Sequence, residues 1–134
     1  MPEKIILMPV QKIFVLSGAI LGFLAVAIGA FAAHALKQKL STEMHGIFEV
    51  GVRYQMYHAL AIIIVALLYP YAPSTLMKAA GISFLIGTII FSGSLYILAL
   101  SGIKWLGAIT PIGGVLFLAG WICIIIAVLK KGVA

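Results

Sequence analysis

Four long apolar runs separated by short polar stretches set the pattern of the chain. The first, "IFVLSGAILGFLAVAIGAFAAHAL", covers about residues 13–36, and the others cover about 52–69, 76–100 and 106–129. A hydrocarbon core about 30 Å thick is crossed by roughly 20 helical residues rising 1.5 Å each. Each run is close to that length. The pattern predicts an all-α protein, an integral membrane four-helix bundle, with residues 1–134 forming a single transmembrane domain.

The interruptions carry their own signals. Between the first two runs lies "KQKLSTEMHGIFEVG", residues 37–51. Ser41 or Thr42 offers an N-cap, and Glu43 adds negative charge to the first turn. A short interfacial helix is expected over about 42–51, with Met44, Ile47, Phe48 and Val52 on its apolar side and room to run on into the second span. "YPYAPS" at 69–74 stops that span, because two prolines cannot continue a helix, and its tyrosines suit the membrane interface. "SGIKW" makes a short turn before the fourth run. There Pro111, with Gly113 and Gly114, predicts a kinked or partly unwound helix. In the first run Gly18 and Gly22 form a G-x-x-x-G pair, and Ala25, Gly29 and Ala33 extend the stripe at spacings of three and four. Small residues at that spacing predict a close helix–helix seam in lipid.

Composition strengthens the membrane assignment. Of 134 residues 64% are hydrophobic and 9% charged, against about 45–50% and about 25% in a soluble domain. The net charge of +6 is scattered over segment ends rather than gathered on one face. It reads as topology signals and headgroup contacts, not as a nucleic-acid surface. Lys4, Lys12, Lys78, Lys130 and Lys131 fall on the side of the termini, and Lys37, Lys39, Arg53 and Lys104 on the other. That small excess leans towards cytoplasmic termini in a bacterial plasma membrane. The "AFA" at 30–32 resembles a signal-peptidase site, but the apolar run is longer than a secretory h-region, so a retained first helix is expected. The single cysteine, Cys123, has no internal partner for a disulfide.

One stretch gathers polar side chains at the mouth of an apolar run: "RYQMYHALAI", residues 53–62. Tyr54 and His58 are four apart and share a helix face, and so are Glu49 and Arg53, with the acid N-terminal. The loop between the first two spans puts His34 at similar depth. The later part of the third span and the start of the fourth reach the same side, bringing Ser92, Ser94, Tyr96 and Thr110. Polar side chains at membrane depth turn inward, towards partners or a water-filled cavity. The expectation is therefore a polar layer of His34, Glu49, Arg53, Tyr54, Gln55, His58, Ser92, Ser94, Tyr96 and Thr110.

Three uses of that layer follow from chemistry. It fixes the bundle, and holds a lipid or a partner. Alternatively it lines a path for protons or a small polar solute, since histidine titrates near neutral pH. Third, its histidines ligate a metal or haem. Against this last use, the sequence holds no H-x-x-x-H or E-x-x-H pair, and His45 is expected at the surface. Ser92 and Ser94 have no Ser–His–Asp arrangement, because the chain contains no aspartate. No enzymatic activity and no cofactor are expected. The bilayer is the expected partner, a homo-oligomer is plausible on the spare small-residue faces, and any small-molecule ligand stays open.

The blocks "GAFAAHAL", "FEVGVRYQMYHALAII", "FSGSLYILALSG" and "LGAITPIGGVLFLAGW" resemble, in order, those of a family of small bacterial membrane proteins known as domain of unknown function 423, whose eukaryotic relatives include transmembrane protein 256. The resemblance covers Phe14 to Trp121. It implies an integral membrane protein of four helices and brings no activity with it. Its blocks coincide with the polar layer and with Pro111, Gly113 and Gly114. Ala32 departs from the family pattern, where glycine is frequent, and its extra methyl predicts a looser contact there.

Overall fold

A computed structural model describes residues 6–132. Lys4, counted above among the orienting charges, lies outside the described residues. The helices are α1 (Pro9–Phe31), α2 (Thr42–Leu68), α3 (Thr75–Ser101) and α4 (Thr110–Leu129). A π-helical turn, Ala32–Leu36, ends α1, and a 3-10 turn, Lys104–Ala108, precedes α4. All four helices are long and apolar enough to cross a membrane.

Local chemistry sets the boundaries. Pro9 stands at the start of α1, where its missing N–H is no loss. Ser41 and Ser74 cap α2 and α3 by accepting from the backbone N–H of Met44 and Met77 at 3.2 and 3.1 Å. Gly102 closes α3 in a left-handed conformation, φ +73°, which glycine adopts without the Cβ clash other residues meet.

The segment 42–51 is helical, as expected, and runs on without a break into the second span, so α2 is one helix of 27 residues. The expected kink in the fourth span is a helix start instead. Pro111 lies in the first turn of α4, where a proline neither breaks a hydrogen bond nor clashes with a preceding turn.

Each helix packs on its sequence neighbour, and α1 also touches α3, with the Phe14 ring lying over Gly81. α2 and α3 therefore form the centre and α1 and α4 the flanks. Two apolar clusters fill the interior. The larger one gathers Ile62, Val65, Met77, Phe84 and Phe117. The smaller joins Ala32, Leu36, Phe48 and Ala99 near the polar side. Ala32 is almost fully buried there, so its methyl fills space rather than opening the contact.

Glycines allow the closest approaches. A Cβ on Gly18 would stand 2.7 Å from the Ala59 carbonyl oxygen of α2. Gly29 lies nearly as close to Val52, whereas Gly22 has ordinary contact distance. Ala33 departs from the expected seam. It is exposed, and Ala32 is buried in its place, because the buried stripe steps from Gly18 to Ala25 to Ala32 in sevens, two α-helical turns each. Gly113 brings its backbone against that of Phe91 on α3, and Gly114 lies near the Phe91 ring.

Candidate functional site

Gln55 is the centre of the polar layer. It is 4% exposed, so both ends of its amide need protein partners. Its Nε2 donates to the Leu21 carbonyl of α1 at 2.9 Å. Its Oε1 accepts from the Tyr96 hydroxyl of α3 at 2.6 Å. One side chain on α2 thus ties three helices. The Tyr96 ring packs on Phe48 at 4.7 Å and passes over Gly51, whose missing side chain makes room for it.

The remaining bonds continue the layer towards α4. Ser92 donates to the Gly51 carbonyl at 2.7 Å, linking α3 to α2. Ser94 and Thr110 share a hydroxyl–hydroxyl bond of 2.7 Å, which fastens the first turn of α4 to α3. Among the described residues, every buried side-chain nitrogen and oxygen has a hydrogen-bond partner.

His58 forms a second, aromatic part of the site. Its ring lies parallel to Phe117 with centroids 3.5 Å apart. The indole Nε1 of Trp121 lies 3.3 Å from its Nε2, and the Tyr54 carbonyl lies 2.9 Å from its Nδ1. An indole N–H can only donate and a carbonyl only accept. The pattern therefore specifies the neutral ring with the proton on Nδ1. Tyr54 stacks on Phe91 at 4.7 Å and faces an open groove of about 450 Å³ with His58, Phe117 and Trp121.

Other expected members stand elsewhere. His34, Glu49 and Arg53 are exposed and lie outside the buried network. His34 stands at the end of the first span, but on its exposed face. His45 turns inward instead of resting at the surface, its Nε2 3.1 Å from the Ala32 carbonyl. Glu49 and Arg53 line a groove of about 300 Å³ with Gly29, Ala32 and Val52. Among the described residues, no three of His, Cys, Asp and Glu converge as metal ligands would.

Two participants escaped the sequence reading. Trp121 was passed over as an apolar residue of the fourth run. Gln11, on the opposite membrane side, is buried; it accepts from the Met8 N–H at 3.0 Å and donates to the Ala66 carbonyl at 3.0 Å. An amide standing in the first turn of an apolar helix was the available signal.

Four membrane-spanning helices with buried polar side chains near one end define a small multi-pass integral membrane protein. The chain matches the family described as "Protein of unknown function (DUF423)" over residues 28–114, and it belongs to that family. It is 49% identical over 120 residues to a UPF0382 membrane protein of Staphylococcus aureus strain USA300, covering 90% of this chain and 98% of that one. A UPF0382 membrane protein of Staphylococcus haemolyticus is 47% identical over 120 residues, with the same coverage. UPF0382 membrane protein YwdK of Bacillus subtilis is 44% identical over 121 residues, again covering 90% and 98%. No solved structure matches.

Proposed function

We propose that this is a non-enzymatic protein of a bacterial plasma membrane, with both termini cytoplasmic. Its polar layer is a dry clamp that sets the register of the helices and leaves the adjoining surface to a lipid or partner. Gln55 carries this reading, because both ends of its amide are bonded across helix boundaries at 2.9 and 2.6 Å. An amide bonded to both neighbouring helices and only 4% exposed holds the helices in place and offers a passing solute almost no surface.

The test is Tyr96→Phe, which removes only the hydroxyl. A structural clamp loses stability, by about 0.6 and at most about 1.7 kcal/mol for an interhelical bond in lipid. On this reading, proteoliposomes of the unaltered protein are expected to show no proton or solute flux above protein-free vesicles. A flux abolished by Tyr96→Phe at unchanged thermal stability would overturn the clamp and establish a transport path.

A further inference from the structure

We propose that the hydrogen bond from Trp121 to His58 is an acid-released latch: a proton taken up by the His58 ring frees the indole and loosens α4 from α2. The latch and the clamp use different residues, so this goes beyond the reading above and does not depend on it.

The join between these two helices runs through side chains. The His58 ring lies parallel to Phe117 at 3.5 Å, Tyr54 faces Phe117 at 6.2 Å, and the indole Nε1 donates to His58 Nε2 at 3.3 Å. A positive His58 ring keeps two of its contacts. An aromatic face attracts a cation, which holds the stack on Phe117, and Nδ1 still donates to the Tyr54 carbonyl. The Trp121 bond fails, because Nε2 accepts only while its lone pair is free. With a proton there, two N–H donors face each other. The ring stays and the indole leaves, and Trp121, 41% exposed, has open space to turn into.

The groove supplies access. Pro111, Gly114, Leu118 and Trp121 follow one face of α4 along it, at steps of three and four. Pro111 lies in the first turn of α4, and Trp121 is ten residues further on, about 15 Å deeper. The groove thus leads from the membrane edge to the ring. No carboxylate among the described residues faces the ring there. α3 presents Phe84, α4 presents Phe117 and Trp121, and α1 presents Gly22 to the neighbouring Ala59. The ionisable side chains within a turn of it on α2 are Tyr54 and Tyr57, and Cys123 follows Trp121 on α4; none is an anion in acid. Arg53 and Glu49 are exposed, five and nine residues further out on α2. The join is therefore complete while the ring is neutral and is lost as pH falls through its titration.

The experiment follows Trp121 fluorescence in the full chain in mild detergent from about pH 8 to about pH 4, a range that brackets ordinary histidine titration. Trp105→Phe, at an exposed position, leaves Trp121 as the single indole. Release predicts a reversible one-proton step in which the anisotropy of the indole falls while helix content, by circular dichroism, stays constant. His58→Gln has a donor and an acceptor but takes up no proton, and it shows no step. Constant anisotropy across the range would rule the latch out, and so would a rise. A rise marks an indole quenched in place, whose shorter excited-state lifetime leaves less time to rotate. Loss of helix content along with the step, or the same step in His58→Gln, refutes the proposal equally. The clamp is decided separately, by the Tyr96→Phe stability measurement.

Discussion

Adding one methyl at Gly113 is expected to prise α3 and α4 apart. A Cβ at that position would stand 2.6 Å from the Phe91 amide nitrogen and 2.8 Å from the Gly87 carbonyl oxygen. Ordinary contact begins at 3.4 Å, so the shortfall is about 0.8 Å. Both obstructing atoms are backbone and cannot swing aside like a side-chain tip. The helices must separate, and the Ser94–Thr110 bond one turn away stretches with them. Overpacking of this kind costs about 1–3 kcal/mol, while alanine regains about 0.5–1 kcal/mol over glycine within a helix. The expected net loss for Gly113→Ala is about 1–2 kcal/mol. Gly93→Ala provides the control. Nothing lies within 4 Å of its added Cβ, so the helix preference acts alone and stabilises by about 0.5–1 kcal/mol. Both variants can be unfolded in mixed micelles by rising dodecyl sulfate, with tryptophan fluorescence as the readout. Opposite signs are expected. Equal stability of Gly113→Ala and the unaltered chain, or a shift of both variants in one direction, would refute the account of the α3–α4 seam.

The other expectations concern the polar bonds. In a double-mutant cycle, Ser94→Ala and Thr110→Val should couple by about 0.6 kcal/mol, with about 1.7 kcal/mol as the ceiling; strictly additive losses would mean that their 2.7 Å bond contributes nothing. Gln11→Leu should lower stability by about 1 kcal/mol, the value of a lost cap, and should speed amide exchange in the first turn of α1. Unchanged exchange there would show that the Met8 and Ala66 contacts of Gln11 do not hold that end.

Much of the helix layout was legible because lipid imposes a blunt rule: a run of apolar residues long enough to cross becomes a helix. The ends were harder. Residues 42–51 are polar enough to suggest a separate element, yet a serine-capped helix with no proline inside it runs on, here through Gly46 and Gly51. Pro111 stood inside a run of apolar residues, and hydropathy cannot distinguish the first turn of a helix from its middle. The depth of each polar residue followed from the order of spans and loops, which brought Gln55, Ser92, Ser94, Tyr96 and Thr110 to one level. Facing was another matter. His34 was placed by depth alone, which says nothing of its face, and Ala33 by a step of four after Gly29 where the buried position is a step of three, at Ala32.

The packing of each helix on its sequence neighbour also describes how the protein can be made. During synthesis from the N-terminus, α2 enters the bilayer beside an α1 that is already there, so the Gln55 donor meets the Leu21 carbonyl at once. The acceptor end waits only for α3 to bring Tyr96. Ser94 then holds a hydroxyl ready for Thr110 as α4 arrives. Most newly inserted polar groups find their partner on a helix inserted just before or just after; His58 of α2 is the exception and waits for Trp121 of α4. The route from ribosome to finished bundle is a succession of local pairings, with little time for a bare amide to face hydrocarbon.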